Sequence, residues 1–176
     1  ILQPGAPGQP TKTLTAAEAA TIADSSYTDD DVRFMQDMIP HHAQAVEMAA
    51  LVADRTNTES VVDIAGRIDA SQADEIEFMQ DWLRARGEAL PAVDSHAHTH
   101  MSHEMMGMAT PEQMADLAAA NGAAFDELFL TLMVTHHDGA VTMVEDLLDQ
   151  PGSAYDPVLF EFVNDVVNDQ TAEIER

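Results

Sequence analysis

The 176-residue sequence contains no cysteine. That absence excludes disulfides, thiolate metal sites, thiol nucleophiles and cysteine lipidation, and any soft metal would have to be held by methionine sulfur and histidine nitrogen. Basic residues are scarce as well: seven Lys and Arg stand against 32 Asp and Glu, a formal charge of -25. A surface of that sign repels nucleic acid and anionic lipid and draws in cations, although as a solvated coat it selects no particular ligand. No apolar run approaches the roughly 18 residues that a membrane-spanning helix requires, so membrane insertion is not expected.

Signatures of catalysis are missing too. There is no Gly-x-Ser-x-Gly and no phosphate loop, and "HEMMG" from His103 lacks the closing histidine of a zinc-protease motif. None of the eight histidines has a glutamate three residues before it, as a diiron bundle would require. The acidic helices keep a redox enzyme of ferritin-like type as the remotest reading, and the expectation is a protein without enzymatic activity. Trp82 and the few other aromatics read as core.

What is present is helical periodicity. The opening "ILQPGAPGQPTKTL" is unsuited to core packing and resembles a tether left after an export signal, so residues 1–28 are expected to be a flexible segment of an exported protein. The bundle proper is expected over 29–176. A first helix over roughly 30–53 is announced by Thr28 or Asp29 as cap and by acidic residues at its positive end. Its apolar positions Phe34, Met38, Ala45, Ala49 and Val52 recur at threes and fours, with Pro40 expected to kink it just before a histidine pair. A second helix, carrying Ile64, Ile68, Gln72, Ile76, Met79 and Leu83 inward, should end at Gly87. A His/Met-rich linker over 92–110 precedes a third helix, predicted from Pro111 to about Leu148 with a break near Asn121-Gly122. A fourth should run from about Val158.

The chain repeats itself. "HHAQAVEM" from His41 returns as "HHDGAVTM" from His136, and Phe34, Met38, His41, His42, Ala45, Val46 and Met48 match Phe129, Met133, His136, His137, Ala140, Val141 and Met143 at one offset. Gln72, Glu75 and Ile76 match Gln170, Glu173 and Ile174 at a slightly larger one. Two duplicated helix pairs, each with one apolar stripe to hide, bury those stripes most simply as an all-α four-helix bundle.

Imidazole nitrogen and thioether sulfur are the borderline and soft donors that suit copper in either oxidation state. On the first helix Met38 and His42 share a face while Asp37, His41 and Met48 gather on its edge; the second copy sets Met133 with His137 and His136 with Met143. Asp37, four residues before His41, is expected to orient that ring. The densest cluster is the linker, where His96, His98, His100 and His103 with Met101, Met105, Met106 and Met108 form a segment able to wrap copper(I) or copper(II), zinc and nickel competing for the histidines. The competing interpretation is a bundle for protein or cell-envelope interaction, its histidines hydrogen-bonded core residues and its methionines gap-fillers.

The pieces "FMQDMIPHHAQAVEMA", "GMATPEQMADLAAANGAAFDELFL" and "LMVTHHDGAVTMVEDLL" resemble the bacterial family known as domain of unknown function 305. The resemblance implies a ferritin-like four-helix bundle, usually exported, without established enzymatic activity, some members of which resemble periplasmic copper-binding proteins. It also carries the family's His/Met motif onto Met38, His41, His42, Met48, Met133, His136, His137 and Met143. No role transfers to the linker histidines, whose assignment rests on donor chemistry alone.

Overall fold

The computed structural model describes residues 2–3, 12–13, 26–91 and 106–176. Strands β1 (Leu2–Gln3) and β2 (Lys12–Thr13) pair antiparallel, Leu2 opposite Thr13. The rest of the expected flexible segment, and the linker as far as Met105, lie outside the described residues.

Helix α1 (Asp29–Ala50) starts with a reciprocal cap. Thr28 accepts from the Asp31 amide at 3.1 Å while the Asp31 carboxylate accepts from the Thr28 amide at 2.8 Å, and Asp29, Asp30 and Asp31 complement the positive helix end. Asp31 is fully buried because its second oxygen accepts from the Ala154 amide at 2.8 Å, tying the last loop to the first helix. The helix runs through Pro40 and stops short of the predicted Ala53, with Val52–Arg55 forming a separate turn, α2. Helix α3 (Glu59–Arg86) ends at Gly87, whose φ of 75° is the left-handed conformation that glycine adopts without a Cβ clash.

The third predicted helix is two helices, α4 (Pro111–Ala119) and α5 (Ala123–Leu148). They part at Gly122, where φ is 58° and the amide leaves the helical path to donate to the Arg55 carbonyl at 2.7 Å. Helix α6 (Pro157–Ile174) opens on Asp156, whose side chain accepts from the Val158 amide at 3.0 Å.

Helix α1 packs on α3, α5 on α6, and α1 on α5, so the four long helices form an all-α bundle of two helix pairs. The core has two apolar clusters. One joins the start of α1 (Phe34, Met38) to the end of α3 (Met79, Leu83), the end of α5 (Val144, Leu147) and α6 (Phe162, Val166). The other joins the end of α1 (Met48, Ala49) and α2 (Val52) to the start of α3 (Val61, Ile68), α4 (Leu117) and the start of α5 (Phe129, Met133). The beginning of α1 thus meets the end of α5 and the reverse, which makes the two repeats antiparallel partners. Between the two clusters, on α1 and α5, lie the two histidine pairs.

Candidate metal centre

His41 and His42 on α1 and His136 and His137 on α5 occupy that position, and all four are fully buried or nearly so. They cannot all be hidden in an apolar core unpaired, because a buried polar atom without a partner costs about 1–3 kcal/mol. Each ring therefore engages one partner through Nε2. His42 bonds the Glu75 carboxylate at 2.7 Å and His137 bonds Glu173 at 2.6 Å, so each pair is held by its own neighbouring helix. The side chains of Glu75 and Glu173 are 14% and 11% exposed, which places each carboxylate between the histidine layer and the surface. His136 donates to the His41 carbonyl at 2.9 Å, and His41 donates to the Met106 carbonyl at 3.0 Å. Rings 41 and 136 meet with centroids 3.8 Å apart and planes inclined by 36°.

Nδ1 of all four histidines is buried with no hydrogen-bond partner. A neutral imidazole whose Nε2–H donates keeps a bare lone pair on Nδ1, the state in which it binds a metal. His41 and His136 are held neutral by burial above all: it lowers the pKa of His41 to about 3, the neighbouring His42 adding to the effect, and that of His136 well below its ordinary value, with His41 the next cause. Fully buried Gln72 and nearly buried Gln170 share this layer's pattern, with both amide atoms of Gln72 and the carbonyl oxygen of Gln170 unpaired. These unpaired atoms make the layer polar within an otherwise apolar core.

The methionines flank the seam. Met38 belongs to the first apolar cluster and half-buried Met143 packs against it, while Met48 and Met133 belong to the second. The His41 ring faces His136 on α5, bonds the Met106 carbonyl through Nε2 and has no hydrogen-bond partner on Nδ1; Asp37 lies half-buried one turn earlier. Among the described residues no three His, Asp or Glu side chains converge as a ready-made coordination group, so any closed metal site here has to draw on the thioethers or on the linker. Of the linker ligands, His96, His98, His100, His103, Met101 and Met105 lie outside the described residues, while Met106 is exposed and Met108 half-buried.

The linker's end is fastened to the histidine seam. Gln44 clamps Ala109 with two hydrogen bonds, Nε2 to the Ala109 carbonyl at 2.9 Å and the Ala109 amide to Oε1 at 2.7 Å. Gly107 lies against the backbone of Thr135, His136 and Gly139, and Gly139 has no space for a Cβ because the Met106 carbonyl fills it. Gln44 and Gly139 are equivalent positions of the repeat. Their difference is what lets one strand of linker backbone lie across an otherwise two-fold arrangement. Sequence reading did not assign roles to Glu75, Glu173, Gln44 or Gly139. The first two were marked by the second repeat offset, and the last two by being where the copies disagree.

The chain is thus a helical-bundle protein with two histidine pairs buried in its core. The chain belongs to the domain of unknown function 305 family (DUF305), whose sequence profile matches residues 31–176. It is similar to the crystal structure of a DUF305 protein from Streptomyces coelicolor whose description proposes that it is secreted, with 35% identity over 83% of this chain and 88% of that one and a TM-score of 0.69. A DUF305 fragment from Deinococcus radiodurans shares 32% identity over 85% of this chain and 93% of that one, with a TM-score of 0.70. CopM in its Cu(I)-bound form shares 26% identity over 85% of this chain and 92% of that one, with a TM-score of 0.64. CopM has also been crystallised in a Cu(II)-bound form, 28% identical over 82% of this chain and 90% of that one. No curated protein matches the sequence. No helix among the described residues is long and apolar enough to cross a membrane.

Proposed function

We propose that this is an exported copper-binding protein that sequesters the ion or passes it on without turning over a substrate. One observation carries the reading: four buried imidazoles present unpartnered Nδ1 atoms between two apolar clusters that hold Met38, Met48 and Met133. Bare imidazole nitrogen suits copper(II), thioether sulfur suits copper(I), and no thiol competes for either. Zinc and nickel can use the imidazoles alone. The linker His96, His98, His100 and His103 supplies further donors, and its continuation at Met106 is fastened to His41. The similarity to CopM, which has been crystallised with Cu(I) and Cu(II), supports the choice of metal. The similarity to the Streptomyces protein supports export.

Titration calorimetry of metal-free protein with copper(I), copper(II), zinc and nickel tests this. The expected result is copper binding with micromolar or tighter affinity, weakened both by H41A/H136A and by replacing the four linker histidines with alanine. A second reading, a noncatalytic bundle with structural histidines, is favoured by one fact: all four Nε2 atoms are already bonded. Absence of micromolar binding to any of the four ions would establish it in place of the first.

A further inference from the structure

Helices α3 and α6 leave between them a groove of about 430 Å³. Its wall includes Phe78 and Phe162, stacked with centroids 4.6 Å apart, and its charged lining includes Asp74 and Glu75 from α3 and Asp165 and Asp169 from α6. No lysine or arginine lines it among the described residues. Asp169 is within electrostatic reach of Glu75, Glu173 and Asp165, with Arg176 opposing them, so the carboxylates of both histidine pairs contribute to the field at this one place. Clustered acid alone would be ordinary solvated surface.

Glu75 makes it more than that. Its side chain lines the groove, yet its Oε2 is 2.7 Å from Nε2 of a fully buried His42 whose Nδ1 has no partner. One carboxylate therefore stands between the groove and a buried imidazole, holding its Nε2 while its Nδ1 stays unpaired. The groove's acids do not converge as a coordination group among the described residues, so they attract a hydrated cation without trapping it.

We infer that the α3/α6 groove is the route by which a divalent cation reaches the buried histidine layer, with Glu75 at its inner end. The inference rests on the copper-binding reading and assigns that site its access path. Negative walls raise the local concentration of the cation, and Glu75 exchanges its bond to His42 for contact with the ion as the imidazole turns to receive it.

The test is stopped-flow loading with copper(II), in a full-length chain whose four linker histidines are alanine so that the imidazole-to-copper absorption reports the buried layer. D165N/D169N, both positions exposed, is compared with D63N/D69N, which removes the same charge from exposed positions outside the groove. Expected is loading about tenfold slower in the groove variant than in the control at low ionic strength, with the difference erased by salt. Chelator-driven release should slow by the same factor and leave the equilibrium affinity unchanged. E75Q, which keeps a hydrogen-bonding group opposite His42, should slow loading as well. Equal rates in the two double variants would overturn the route while leaving copper binding intact. Failure of this chain to bind copper while the chain with its linker histidines does would place the metal in the linker and remove the route. Failure of both would refute the copper reading and the route together.

Discussion

His136 donates to the main-chain carbonyl of His41, whereas His41 turns away from the corresponding carbonyl of His136 and donates to Met106. In a strictly two-fold bundle the two bonds would be equivalent. The linker breaks the equivalence by lying across one copy of the repeat, and it can do so because Gly139 offers a bare backbone where Gln44 offers a clamp.

Gly139→Ala should be costly. The added methyl would occupy the position of the Met106 carbonyl, so the linker backbone must lift and His41 loses its partner. A loss of about 2–3 kcal/mol is expected from urea unfolding. Gly66→Ala, inside α3 with open space around the new Cβ, should instead stabilise the protein by about 1 kcal/mol. Equal effects at the two glycines would contradict the packing described.

Metal-free protein should lose stability on acidification from near neutrality. His41 has its folded pKa lowered to about 3 from 6.5, and His136 is lowered as well. Between those values the unfolded chain takes up protons that the native seam refuses. Their contribution is therefore fully present above pH 6.5 and is lost as pH falls through the window toward 3, by about 1.4 kcal/mol per pH unit for each histidine. Urea midpoints at pH 7, 6 and 5 measure the slope. His41→Gln should make it shallower by close to one proton.

Glu75→Ala should weaken both fold and metal site. It strips Nε2 of buried His42 of its acceptor, a cost of about 1–3 kcal/mol in thermal unfolding. It also frees the ring's orientation, for which a 10–100-fold loss of copper affinity is expected. Glu173→Ala should do the same to His137 through the equivalent bond. A change at one site and not at the other would show that the two halves have divided their roles.

Arg86→Ala should unfasten the end of the bundle far from the histidines. Its guanidinium lies 3.9 Å from the Trp82 ring centroid and pairs with Asp156, which also accepts from Trp82 Nε1 and caps α6. Loss of about 2–3 kcal/mol is expected, because nearly buried Asp156 keeps its charge and loses its cation. Trp82 fluorescence should change in the folded protein, while copper titrations should not.

The sequence made the bundle legible because its signals are local. Thr28 with Asp31, Gly87, Thr110 with Pro111, and Gly122 each mark a helix end through chemistry confined to a few residues. The apolar stripe of α1 was equally plain, and Phe34, Met38, Ala45, Ala49 and Val52 are all buried. The histidine doublets could be read as a shared feature from their repetition alone. Their partners could not: Glu75 lies 33 residues from His42, and Met106 lies 65 from His41. The acceptor that His41 takes is a backbone oxygen, which no side-chain pattern encodes.

The seam divides the interior into two oily lobes joined by the long helices α1, α3 and α5 that run through both. An ion seated between them would act as a rivet, and its arrival would be felt as slower amide exchange at both ends of the bundle, well away from any ligand.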